Sequence, residues 1–280
     1  MKRVVVVTDS NATVPEALAR ELDIRVVPIL LNLADRTYRD GVDMTPAEFY
    51  RLLRTTTHVP TTSSPSMGDF VRVFAAAGQE SAGVVAIVLP PQLSAIHNVA
   101  VMASQLVDGS PIRVVDSGTA AMAQGFVVLE AARAAAAGAD VEEVVARAEE
   151  VASKVRFYAV LETLEYLHRG GRIGGAAAWV GSVLQITPVL RVLDGKVEPF
   201  ARPRTRPRAI QVMLDEVAKQ VGDRPVHVAI CQADAQEEAE DLKQRVEELF
   251  DCSELYVTEF TPVMGTHAGP GLLGMAFYVD

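Results

Sequence analysis

The chain has 280 residues, 49% hydrophobic and 22% charged, with a formal net charge of -10. This is globular composition with length enough for two domains, and its acidic balance argues against nucleic-acid binding and against adsorption to anionic membranes. Two cysteines, Cys231 and Cys252, leave no disulfide framework, which fits a cytoplasmic location. Met1-Lys2-Arg3-Val4 enters a strand pattern at once and lacks the apolar core of a signal peptide.

Arg3 to Thr8 is a β-branched run that predicts a parallel strand covered on both faces, ending in Asp9-Ser10. Thr13-Val14-Pro15-Glu16 reads as a capping box opening a short helix to about Leu22. Arg25 to Leu33 reads as one apolar strand, and Thr45-Pro46-Ala47-Glu48 as a second capping box. Pro60-Thr61-Thr62-Ser63-Ser64-Pro65-Ser66 then gathers five hydroxyls in one loop without Lys, Arg, His or acid. Such a loop either binds an oxyanion with neutral donors or is ordinary loop composition, with Ser66 and Asp69 capping the next helix.

Gly83 to Leu89 is the third strand, stopped by Pro90 and Pro91, and Ser94 is placed to N-cap the helix that follows. Ile112 to Val115 is the fourth strand and repeats the first strand's ending as Asp116-Ser117. An Ala-rich helix runs from Thr119 to Ala137 and stops at Gly138. Alternating strands and helices predict an α/β unit with a mainly parallel sheet, whose ligands bind beyond the carboxyl ends of the strands. Asp9 and Asp116 at those ends read as acid/base or metal groups, or as caps of the following amides; capping is favoured.

Past a charged helix at Val141 to Val155, the uncharged run Gly174 to Leu190 falls short of a membrane span and reads as a buried helix followed by a strand. Pro188 to Phe200 reads as a hairpin turning at Asp194-Gly195. Arg202, Arg204, Arg206 and Arg208 alternate with prolines and Thr205. An extended backbone would place all four on one side, as a basic patch for a phosphate, partner or ligand head, or as a solvated turn. Helices near Pro207 to Val221 and Gln236 to Phe250, with strands at Val226 to Cys231, Leu255 to Phe260 and Leu273 to Val279, predict a mixed sheet. Gly269-Pro270-Gly271-Leu272-Leu273-Gly274 matches a dinucleotide pattern but lacks the following helix and acid, so it is rejected. His267 sits in this glycine-dense segment and reads as structural or as ligand-facing. His227 and Cys231 are too few for a metal site.

Taken in order, Thr8-Asp9-Ser10, Thr62-Ser63-Ser64-Pro65-Ser66, Leu93-Ser94, Asp116-Ser117, Arg169-Gly170-Gly171-Arg172-Ile173, Pro188-Val189-Leu190, Asp194-Gly195, Arg204-Thr205 and His267-Ala268-Gly269-Pro270-Gly271 span the chain. They resemble the DegV family of bacterial fatty-acid-binding proteins. The resemblance implies an α/β fold of two domains, 1–152 with the hydroxyl loop and 153–280 with a mixed sheet, and a long-chain fatty acid such as palmitate in the cleft between them. It implies that Thr62 and Ser94 hold the carboxylate, with Ser63 and His267 beside it and Arg204 and Arg172 docking a partner or the head group. It further implies a monomeric carrier with no cofactor and no metal. A separate kinase subunit would make the acyl phosphate for lipid synthesis. The alternatives are an enzyme of phosphoryl or acyl transfer at the same cleft, using His267 and Asp116, and a lipid-loaded sensor. Where the family usually has Ser-Ser-x-Leu-Ser-Gly-Thr, this chain has Pro90-Pro91-Gln92-Leu93-Ser94-Ala95-Ile96; Ser64 also replaces the usual Gln.

Overall fold

The first strand, Val4–Asp9 (β1), is buried at every position, as its β-branched run requires. The computed structural model describes residues 3–180 and 186–280. A turn of 3-10 helix at Ser10–Ala12 follows, then Glu16–Glu21 (α1). The expected Thr13 capping box is not made: Thr13 takes a left-handed φ of 45°, and α1 starts after Pro15 with no side-chain cap. The strand expected over Arg25 to Leu33 is broken in two around Pro28. Arg25–Val27 (β2) pairs parallel with β1, whereas Leu30–Leu33 (β3) leaves for a second sheet. Proline's missing N–H ends the ladder there.

Arg36–Arg39 (β4) pairs antiparallel with β3. Thr45 forms the expected capping box on Pro46–Leu53 (α2). The hydroxyl loop is partly a strand: Thr61–Ser63 (β5) pairs antiparallel with β3, Leu31 opposite Thr62. Ser66 and Asp69 form the capping box of Met67–Glu80 (α3). Gly83–Val88 (β6), Ile96–Ser104 (α4), Ile112–Asp116 (β7), Ala121–Ala136 (α5) and Val141–Lys154 (α6) complete the N-terminal half. Its parallel sheet has the order β2-β1-β6-β7. The chain leaves β1 toward one flank for β2 and later returns to β1's other flank for β6. The crevice beyond the ends of β1 and β6 is therefore a topological switch point.

Arg156–Val160 (β8) opens the second half, followed by Glu165–Arg169 (α7) and a 3-10 helix at Gly174–Trp179. That segment corrects the buried helix expected from residue 174. It is 3-10, and of Gly174–Trp179 only Ala176 is buried; the rest of the expected helix, residues 181–185, lies outside the described residues. Val189–Leu193 (β9) and Lys196–Ala201 (β10) form the predicted hairpin, with positive φ at Asp194 and Gly195. Arg206–Val221 (α8), Val226–Gln232 (β11), Gln236–Leu249 (α9), Cys252–Glu259 (β12), Pro262–Ala268 (α10) and Leu273–Tyr278 (β13) finish the chain. The six strands lie in the order β10-β9-β8-β13-β11-β12, a mixed sheet.

The strand period of two divides this sheet's residues between two cores. Tyr158, Val160, Val228, Ile230, Met275 and Phe277 pack under α8 and α9. Phe157, Ala159, Ala229, Cys231 and Ala276 face the other way, into a core shared with the N-terminal half. Between the sheets lies α5, with thirteen of its sixteen residues buried. It packs on β1 and β6 on one side and on β11 and β13 on the other. Its Ala-rich sequence suits a helix apolar on all sides.

Candidate functional site

The carboxyl ends of β1 and β6 open onto a cavity of about 140 Å3. That is roughly ten times the ~10–15 Å3 one buried water needs, so the space suits a ligand. Its walls are mostly apolar. Ile29, Leu89 and Leu93 come from the N-terminal half, Phe157, Ala159 and Leu190 from the inner face of the mixed sheet, and Val263, Met264 and Ala268 from α10. No Asp or Glu lines it among the described residues, although the chain carries 36 of them.

The polar groups at the cavity, Asn11, Thr62, Ser94, Arg172, Arg191 and His267, come from separate segments, and Arg191, which sequence reading missed, donates to Glu198 at 3.1 Å. On β5, alternation turns Thr62 inward, as it turns its partner Leu31, which is fully buried. Thr62 Oγ1 lies 2.8 Å from His267 Nε2. His267 is on α10, a short helix that sequence reading missed and treated as glycine-rich loop. The helix begins at Pro262, capped by the Thr261 hydroxyl. Its Gly265 lets it press on Phe49 and Tyr50, where a Cβ would lie 2.7–2.8 Å from their rings or hydroxyl. The His267 ring is backed by Gly170, where an added Cβ would stand 2.3 Å from Nδ1.

This explains the Arg169-Gly170-Gly171-Arg172 run. Gly170 makes room for the imidazole. Gly171, at φ 68°, reverses the chain. Arg172 then folds back, donating from Nη1 to the Gly170 carbonyl at 2.7 Å and from Nε to the Leu93 carbonyl at 3.1 Å. The second bond ties the C-terminal half to the Leu93-Ser94 segment. Ser94 lines the cavity, and its Oγ accepts from the Ile96 amide at 3.3 Å. The helix N-cap itself is Ala95, one residue later than expected.

Burial, helped by the positive charge of Arg172, lowers the His267 pKa to about 4, so the ring is neutral at pH 7. Nδ1 is buried without a partner. A buried N–H left orphaned is rarer than an under-used acceptor, so the partners assign the proton to Nε2, which donates to Thr62 Oγ1. The Thr62 hydroxyl proton is then free to donate into the cavity. Asn11 also reaches the cavity wall, a contribution sequence reading missed despite its place just after Asp9-Ser10. Its Oδ1 accepts from the Ala121 amide at 2.9 Å.

Thr62, Ser94, His267 and Arg172 are thus brought together around one cavity. Ser63 is not. Strand alternation turns it outward, where it is exposed and its Oγ accepts from Asn32 Nδ2 at 3.2 Å. Arg204 is exposed and outside the cavity lining. The extended arginine stripe is also corrected: α8 begins at Arg206, so Arg206 and Arg208 follow helical geometry. Arg206 pairs with Glu238 at 2.6 Å, and Arg202 lies over the Trp179 ring at 5.3 Å.

Asp9 and Asp116 both serve as amide caps. Asp9 accepts from the amides of Asn11 and Leu89, and Asp116 from the amide of Gly118. Burial raises Asp9 to about 6. Gly274 lies within β13, so no helix follows the glycine-rich run. His227 pairs with Glu254 at 2.7 Å, not with Cys231, and no cluster of three or more metal-ligating side chains occurs among the described residues. No helix among the described residues is long and apolar enough to cross a membrane.

Residues 3–280 match the model of one family, described as uncharacterised proteins of the DegV family. A DegV domain-containing protein of Streptomyces coelicolor is 36% identical over 276 residues, covering 98% of each chain. The structure of a fatty-acid-binding DegV family protein of Thermus thermophilus superposes with a TM-score of 0.93 at 33% identity, covering 99% of this chain and all of the other. DegV of Bacillus subtilis, a fatty-acid-binding protein, superposes with a TM-score of 0.93 at 29% identity over the whole of both chains.

Proposed function

This chain belongs to the DegV family, and we propose that it is a carrier that holds a long-chain fatty acid in the cavity beyond β1 and β6. The observation that carries this reading is the division of the cavity's chemistry. Its walls are mostly apolar and free of acids, while the Thr62–His267 pair, Ser94 and Arg172 gather at it, with Arg172 tied to the Leu93 carbonyl beside Ser94. A carboxylate there accepts hydrogen bonds from the hydroxyls of Thr62 and Ser94. Ser94 has a proton to give, because its contact with the Ile96 amide uses only an acceptor lone pair. Arg172 adds a fixed positive charge, so the head does not rest on neutral donors alone.

The tail supplies most of the affinity. A sixteen-carbon chain gains roughly 0.8 kcal/mol per buried methylene, on the order of 10 kcal/mol before ordering losses. Fatty-acid binding by the Thermus and Bacillus relatives supports the assignment.

In this reading residues 1–152 and 153–280 act as two lobes that part to admit the ligand. The protein supplies no catalysis of its own. It presents the carboxylate to a partner kinase, which adds the phosphoryl group to form an acyl phosphate. The exposed Arg204, just before α8, is the docking point for that partner. The test is organic extraction of the purified protein with mass spectrometry, followed by titration of the stripped protein. Release of long-chain fatty acid near one per chain and saturable rebinding are expected. If the protein releases no fatty acid and the stripped protein binds none, the proposal is overturned.

A further inference from the structure

Both partners of the Thr62–His267 hydrogen bond are tied to one buried residue, Asp40, that is outside the lining of this cavity. Asp40, at the end of β4, is 3% exposed. Its Oδ1 accepts from the amide of Val263, in the first turn of α10, at 3.0 Å. Its Oδ2 accepts from Ser10 Oγ at 2.6 Å. Ser10 Oγ in turn accepts from the Ile29 amide at 3.1 Å, and the Asp40 amide donates to the Ile29 carbonyl at 2.9 Å. Asp40 therefore clamps three segments at once: the turn after β1, the chain entering β3, and the start of α10. Thr62 depends on the second through its pairing opposite Leu31 on β3. His267 depends on the third, four residues beyond Val263.

We infer that Asp40 is the positioning residue of the head-group site, setting the distance between Thr62 and His267 by tying α10 to β3. The arrangement suits this role. Thr62 and His267 come from distant parts of the chain, and a shift of α10 by one ångström would break a 2.8 Å contact. A carboxylate has two oxygens and can take donors from two elements. The inference rests on the proposed function only for its effect on ligand affinity.

The test is nitrogen NMR of the histidine side chains in the full chain, with His267 assigned by His267→Gln. In the parent protein His267 should show a single neutral tautomer protonated at Nε2, with or without ligand. Asp40→Ala should move the His267 signals toward a tautomer mixture, leave those of His58 and His97 in place, and weaken fatty-acid binding about tenfold. Asp40→Asn keeps an acceptor for the Val263 amide and should restore both readouts. Should Asp40→Ala not fold, Ser10→Ala removes one of the two anchors and should move the His267 signals in the same direction by less. Unchanged His267 signals in Asp40→Ala, or in Ser10→Ala where that is the variant available, would overturn the inference. So would an Asp40→Asn protein as perturbed as Asp40→Ala, or equal movement of all histidines. Because the tautomer readout needs no ligand, it stands even where the fatty-acid reading fails.

Discussion

Thr62 and His267 are 205 positions apart in the chain and 2.8 Å apart in space. Their contact joins the small three-stranded sheet to α10, and the neutral imidazole leaves the threonine proton for a ligand. Thr62→Val keeps the shape and removes the donor. A charge-assisted hydrogen bond contributes about 1.5–3 kcal/mol, so fatty-acid affinity should fall roughly tenfold to a hundredfold in a fluorescence titration. Ser94→Ala should act in the same direction. Ser63→Ala, on the outer face of the same strand, should leave affinity within about twofold.

Gly170→Ala tests the packing behind the imidazole. The new methyl would meet His267 Nδ1 at 2.3 Å, closer than any real contact. The ring must move, taking Nε2 from Thr62. Overpacking of this kind costs about 1–3 kcal/mol. A lowered melting temperature with at least tenfold weaker binding is expected. Gly171→Ala should lose stability through its left-handed φ but affect binding less.

Two buried groups near the cavity give opposite pH slopes. His267 titrates at about 4 in the fold against 6.5 when unfolded, so the unfolded chain binds more protons between those values and stability rises with pH there. Asp9, raised by burial from 3.8 to about 6, makes the folded state bind more protons between those values. Its contribution therefore falls as pH rises through that window and stays unfavourable above it. Asp40 is raised by burial too and adds to Asp9. Each of the His267 and Asp9 effects is on the order of 3 kcal/mol. Denaturant unfolding between pH 4 and 6 should show His267→Gln losing stability more steeply with rising pH than the parent. Asp9→Asn should lose it less steeply.

The charged cluster around Glu254 should matter for stability and not for the ligand. Arg133 on α5 donates to both Glu254 oxygens, at 3.1 and 2.7 Å, and His227 lies 2.7 Å from the same carboxylate. His227 pairs with Tyr278, at the opposite end of the β11–β13 ladder from Gln232 and Leu273. None of the cluster's residues lines the cavity. Glu254→Gln weakens a bridge between the halves whose arginine is about one-third exposed. A loss of roughly 1–2 kcal/mol is expected, reduced by solvent screening, with affinity unchanged within about twofold.

Local chemistry made much of the fold legible. The buried β-branched run of β1, the capping boxes at Thr45 and Ser66, and the Asp194-Gly195 hairpin all follow from short-range rules. One miss was a local signal passed over: Pro28 split an apolar run that looked continuous. The others came where tertiary contacts override short-range rules, as where the hydroxyl loop became a strand because β3 offers it an edge. α10 was hidden because its glycines suggested a loop, while packing against Phe49, Tyr50 and Tyr166 sets its course. Thr62, Ser94, His267 and Arg172 could be named from sequence, but Ser63 needed the strand's phase to be placed outside. Asn11 and Asp40 act through contacts at distances of 110 and 223 residues along the chain, respectively, which no local pattern carries.

The most direct test is where the two ends of the ligand lie. Isotope-edited NOE spectra of the protein with palmitate labelled at the carbon next to the carboxyl, and separately at the terminal methyl, report this in solution. The labelled methylene should show contacts to the Thr62 methyl and the Ser94 Hβ protons. The terminal methyl should contact apolar wall residues of the mixed sheet, such as Val192 or Leu190. A head group seen away from Thr62 and Ser94, or an acyl chain giving no contact to the cavity walls, would contradict the account.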